Sequence, residues 1–191
     1  MENIRTTLFN TVKQVLDEKK YTYKSDENDT FLTYKIRYNN LIDYVVTYMI
    51  DTYDDGIRII AELPIGAATD DPKIRNIYEY LCRVNMTFYH GFFEMDNRDG
   101  TLRYREFFKC YDKPYDAKTI DDFLLTVSHC LGKHFLGLFN VLVNDTDPAE
   151  AVRMCIDPHY RDDDELEETE FFELDTDIFG DEEDSSDDES T

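Results

Sequence analysis

Between Ile74 and Tyr104 the spacing of apolar residues changes period, which limits the chain to folds where a helix runs directly into a hairpin. Ile74, Ile77, Tyr78, Leu81 and Val84 recur at helical spacing, whereas Tyr89, Phe93 and Met95 alternate in twos. Asp99 and Gly100 then close a turn, since glycine accepts positive φ without a Cβ clash. The expected hairpin strands are Thr87 to Met95 and Thr101 to Tyr111.

The flanking segments extend this grammar. Ile4, Leu8, Phe9, Val12, Val15 and Leu16 form the stripe of an amphipathic first helix. After a polar turn around Ser25 to Asp29, Leu32, Tyr34, Ile36 and Tyr38 alternate with Thr33, Lys35 and Arg37. A second strand runs from about Leu41 to Tyr53. Asp54, Asp55 and Gly56 turn the chain into a third strand, Ile57 to Leu63, which Pro64 is expected to end. Asp70 or Asp71 before Pro72 signals the start of the second helix, expected to reach about Asn85. Thr119 and Asp122 resemble a capping box for a long third helix through Leu142, in which Gly132 and Gly137 mark a bend or a close contact. Asp147 and Pro148 start one more short helix. The predicted class is α+β, a mainly antiparallel sheet of about five strands in α-β-β-β-α-β-β-α order.

Charge divides the chain. The net charge is -23, and 17 of the 43 acidic residues fall between Asp162 and Thr191 with no Lys or Arg among them. Met1 to Arg161 therefore carries 26 acidic against 20 basic residues. Such a field repels phosphate backbones, so direct nucleic-acid binding is not expected, and a basic partner is the better match. With no 18-residue apolar run and no basic-then-apolar leader, the expectation is a soluble, unexported, cytoplasmic protein with no membrane association. Cys82, Cys110, Cys130 and Cys155 lack C-x-x-C spacing and suit a reducing compartment.

Catalytic and metal signatures fail on inspection. His90, His129, His134 and His159 form no H-E-x-x-H, and Cys130 with His134, which share a helical face, are two donors where structural zinc takes four. Asp175, Asp177 and Gly180 fit an EF-hand register, but Phe179 and Ser186 stand where two oxygen ligands belong. No enzyme activity, cofactor or resident metal is expected. Ser185 and Ser186, before Asp187, Asp188 and Glu189, suit an acid-directed kinase.

Two surfaces stand out. If Tyr89, Phe93 and Met95 face the core, alternation puts Phe88, His90 and Phe92 on the opposite face, joined by Arg103, Arg105 and Phe107 from the partner strand. The alternative is that the first or third helix covers these rings. Phe88, Phe92, Arg105 and Phe107 are the candidate protein-binding residues, because aromatics and arginine anchor interfaces. In the acidic segment, Phe171, Phe172 and Phe179 punctuate a run that pure solubilisation does not require, a texture of segments that order on a partner.

The second helix ends in Leu81, Cys82, Arg83, Val84, Asn85; Phe93, Glu94, Met95 and Asp96 lead through Asp99 and Gly100 to Leu102, Arg103, Tyr104 and Arg105; and a long amphipathic helix ends in Leu138 to Val143. These three features resemble the YbjN-type family of bacterial sensory-transduction regulators, whose domain shares the fold of type III secretion chaperones. The resemblance covers about Ile4 to Val143. It implies a non-enzymatic adaptor or chaperone-like domain, with homodimerisation open, that acts through protein contacts. The acidic segment, the lack of Trp and the fourteen Tyr depart from the family pattern. The expected organisation is an α+β domain over residues 1–145, a short helix and linker over 146–161, and a disordered acidic tail over 162–191. The function that follows is a protein-binding regulator or chaperone-like adaptor; the alternative is an acidic nucleic-acid mimic that blocks a basic site.

Overall fold

The computed structural model describes residues 3–39 and 42–156. Four helices, α1 (Ile4–Glu18), α2 (Ile74–Asn85), α3 (Ala117–Val143) and α4 (Pro148–Ile156), accompany six strands. These are β1 (Tyr23–Ser25), β2 (Phe31–Tyr38), β3 (Tyr44–Tyr53), β4 (Gly56–Gly66), β5 (Phe92–Met95) and β6 (Thr101–Lys109). The sheet is antiparallel throughout, in the order β1-β2-β3-β4-β6-β5. The α+β class and the antiparallel sheet agree with the sequence reading; the sheet has six strands where about five are expected.

The extra strand is β1, only three residues long and hidden in what reads as a polar turn. Asp26 builds that turn: its carboxylate accepts from Thr30 N at 2.7 Å and Phe31 N at 2.8 Å, so the chain reverses and pairs Lys24 with Thr33. The third predicted strand also differs at its end. β4 continues through Pro64 to Gly66 because the register with β6 shifts between Glu62 and Gly66, and a bulge tolerates a residue without an N–H.

One face of the sheet carries the core. Leu32, Tyr34 and Ile36 of β2, Val46, Tyr48 and Ile50 of β3, Ile57 and Ile59 of β4, and Leu102 and Tyr104 of β6 all pack into it. The α1 stripe, Leu8, Phe9, Val12, Val15 and Leu16, is buried as the periodicity requires, and each such side chain contributes about 1.5–3 kcal/mol. α3 is capped by Asp116, not Thr119: the aspartate side chain accepts from Thr119 N at 2.8 Å. Asp147 caps α4 through Ala149 N and Glu150 N. Gly137 is a close contact, because a Cβ there would lie 2.5 Å from Tyr80 Oη and 2.6 Å from Cys155 Sγ, where α2, α3 and α4 meet.

The hairpin that opens the sequence argument is shorter than predicted. Thr87 to His90 extend the end of α2 as turn and bend, with Thr87 Oγ1 donating to Val84 O at 2.7 Å, and the strand begins at Phe92. Gly91, at φ +70°, re-aims the chain in between and resets the alternation.

Candidate protein-binding surface

That reset decides which aromatics face outward. Phe88 is on the helix side, partly buried against the core, with ring contacts to Phe93 at 5.9 Å, Tyr104 at 5.8 Å and His134 at 5.2 Å. Its assignment to an exposed surface is therefore corrected. Tyr89, expected inside, is fully exposed. Phe92 and Phe107 do lie on the outer face, 41% and 45% exposed, with half-buried Arg105 between their strands' registers. Phe171, Phe172 and Phe179 lie outside the described residues.

Strand register places further side chains beside them. Thr33, Met49, Ile60, Arg105 and Phe92 form one row across five strands, since neighbouring residues of a pleated sheet point to the same side. Phe31, Asp51, Arg58 and Phe107 form the row beside it. Tyr53 meets Phe107 edge-on at 5.9 Å. Ile60 is buried at the centre yet belongs to no part of the main core. A third row, Lys35, Thr47, Glu62, Arg103 and Glu94, is polar and alternates in sign.

The arginines are each engaged by neighbours. Arg58 donates twice to Asp51 Oδ2, at 2.9 and 2.7 Å, with its guanidinium 5.4 Å from the Tyr53 ring centre. Arg105 pairs with Glu94 and lies 5.9 Å from the Phe92 ring. Arg103 reaches Glu62 at 3.3 Å. The face therefore offers rings and guanidinium planes with its charges internally balanced, an apolar centre with a polar rim. Such a surface suits a protein segment and gives a polyanion little to hold.

The short edge strand is closed by a residue that sequence reasoning left without a mechanism. Asn85, at the end of α2, accepts from Phe93 N at 2.7 Å and donates to Phe93 O at 2.9 Å, occupying the outward backbone groups of β5. At Phe93 the β5 edge therefore leaves no free backbone groups for a foreign strand to pair with. Met49, Tyr53 and Ile60 were also missed, although the adjacent pair Ile59 and Ile60 signalled it: consecutive apolar residues on a strand must face opposite ways.

A polar cluster lies on the helix side. Glu106 is buried, accepts from Tyr104 Oη at 2.8 Å and contacts His90 Nδ1. Burial pushes the Cys130 thiol up, opposite to what a nucleophile needs. His134 is enclosed by Phe88 and Phe93, and burial pulls its pKa down to about 4. Among the described residues no three His, Cys, Asp or Glu are placed to hold a metal ion, and no helix is long and apolar enough to cross a membrane. The chain is thus an α+β protein with helices against one sheet face and an aromatic and arginine surface on the other. It matches no protein-family model and no curated protein.

Proposed function

We propose that this protein is a non-catalytic binding regulator or chaperone-like adaptor whose contact surface is the outer sheet face. The observation that carries the reading is the row from Thr33 to Phe92, with Ile60 at its centre and Phe107 and Tyr53 beside it. Exposed aromatics around an apolar centre, with arginines pinned in place, are the composition of an interface anchor. The partner is a protein segment with apolar side chains. The order of α2, β5 and β6 is what we read as YbjN-like, akin to the type III secretion chaperones, and a cytoplasmic, bacterial setting is proposed only as part of that resemblance.

The acidic segment supports a second reading, a nucleic-acid mimic that blocks a basic site on another protein. Seventeen carboxylates with no cation supply the charge for it. One experiment separates the two. Pull-downs from native lysate use the full chain, a chain ending at Arg161, and a Phe92→Ser, Phe107→Ser double variant, each first confirmed folded by circular dichroism. Loss of the principal partner only with the phenylalanine changes supports the sheet-face adaptor. Loss only on truncation moves the function to the acidic segment, with capture by that segment alone expected to fall steeply with salt. Capture unaffected by both removes both sites.

A further inference from the structure

We propose that His90 is a covalent acceptor site, at which Nε2 takes the acyl group of a small, uncharged, activated donor such as an anhydride or an aryl ester. Glu106 is what sets this imidazole apart. Its side chain is 1% exposed on β6, one carboxylate oxygen accepts from Tyr104 Oη at 2.8 Å, and the other contacts His90 Nδ1. The backbone is shaped for that contact. Gly91 has φ +70°, and a Cβ there would overlap Tyr104 Oη and lie 3.1 Å from Glu106 Oε2, so only glycine lets the chain lower His90 onto the carboxylate.

The reactivity follows from which nitrogen is held. A carboxylate oxygen accepts, so Nδ1 carries the proton and Nε2 keeps its lone pair. The His90 side chain is 65% exposed, and Nε2 has no hydrogen-bond partner among the described residues. Burial pushes the Tyr104 phenol up, so it stays a neutral donor and brings Glu106 no positive charge. A buried carboxylate without a cation is costly, and positive charge on the His90 ring offsets that cost. Acylation at Nε2 supplies that charge.

The step balances with water as the only co-reactant. Nε2 attacks the carbonyl carbon, the bond to the leaving oxygen breaks, and the leaving group departs with the electron pair. The ring, still protonated at Nδ1, holds one positive charge against Glu106. Water later adds to the carbonyl and returns the neutral imidazole, the carboxylic acid and one proton. The surroundings decide the charge of the donor: an anionic phosphoryl donor would meet Glu106 and the net charge of -23, whereas the flank of the ring is apolar, with Phe108 edge-on at 6.4 Å. Glu106 is on the helix side of the sheet, so the acceptor is independent of binding at the outer face.

The probe is diethyl pyrocarbonate, an uncharged anhydride, applied to the full chain at pH 8, above the ordinary imidazole range, with the adduct at each histidine followed by peptide mass spectrometry. His129, exposed on α3, is the internal reference. His90 is expected to react about tenfold faster than His129, equivalent to about 1.4 kcal/mol of barrier, and nitrogen-15 shifts are expected to show its proton on Nδ1. In Glu106→Gln, which removes the charge at nearly unchanged volume, the two rates are expected to agree within about twofold in a chain that circular dichroism shows to be folded. The parent comparison stands where that variant fails to fold. Equal rates in the parent, a proton on Nε2 in place of Nδ1, or an advantage that survives Glu106→Gln would each overturn the proposal.

Discussion

His134 and Phe88 carry the sharpest consequences at the level of single residues. His134 is almost wholly buried on α3, its Nδ1 has no hydrogen-bond partner, and burial, followed by the nearby Lys133 and His129, lowers its pKa from 6.5 to about 4. The unfolded chain takes this proton near pH 6.5 and the folded one only near 4, so stability falls as pH drops through that window and levels below it. The shift corresponds to about 3 kcal/mol. Asp26, Asp96, Asp99 and Asp116, whose carboxyls are held down by hydrogen bonds to Thr30, Arg98, Thr101 and Thr119 respectively, add losses of the same sign at lower pH. Comparison with His134→Leu isolates the histidine: in urea unfolding the parent should lose about 3 kcal/mol more than the variant between pH 7 and pH 4. Parallel curves would mean that the imidazole is hydrated in the folded state. The phenylalanines divide in the same assay. Phe88→Ala opens a space among Phe93, Tyr104 and His134 and should cost about 3 kcal/mol, whereas Phe92→Ala and Phe107→Ala, on the outer face, should each cost under about 1 kcal/mol.

Elements depend on a few side chains that tie one segment to the next. The two hydrogen bonds of Asn85 to Phe93 join α2 to the edge of β5 and fill the positions where a foreign strand would pair. Asn85→Ala should destabilise by about 2 kcal/mol in urea, and concentration-dependent association should appear in sedimentation velocity because the β5 edge is freed. Loss of stability without association would show that the edge is protected by something other than this amide. Asn85 also illustrates what the sequence makes legible. A helix ending before a strand could be read from the period change, and so could the inward faces of β2 and β3, because local alternation fixes them. The face of Phe88 could not, because it depends on the backbone turn at Gly91, and glycine does not announce which φ it adopts. β1 stayed hidden because three residues are too few for a period to show, and its existence rests on the Asp26 carboxylate. The outer surface was half legible. Phe92, Arg105 and Phe107 followed from alternation within one hairpin, while Met49, Tyr53 and Ile60 reach them only through the pairing of β3, β4 and β6.

On the scale of the whole molecule the charge distribution sets the behaviour. Residues up to Arg161 carry an excess of six carboxylates, and the 30 residues after it add 17 more. That segment follows α4, whose Ala151 and Val152 are buried in the core, so its charge is tethered to the folded body. Like charges held near a compact body disfavour compactness, and salt screens them over about 10 Å at 0.1 M. The full chain should therefore gain stability between 20 mM and 500 mM sodium chloride, by about 1 kcal/mol or about 3 °C in Tm, while the chain ending at Arg161 should gain markedly less. The same pair of chains tests the link between the two functional readings. Where the sheet face alone binds the partner, salt leaves capture nearly unchanged in both, because the arginines of that face are neutralised by Asp51, Glu62 and Glu94. If the acidic segment does the binding, capture by the full chain collapses over the salt range in which its Tm rises. Equal salt dependence of Tm in the two chains would show that the body does not feel the acidic segment, and any salt-sensitive capture would then belong to that segment acting by itself.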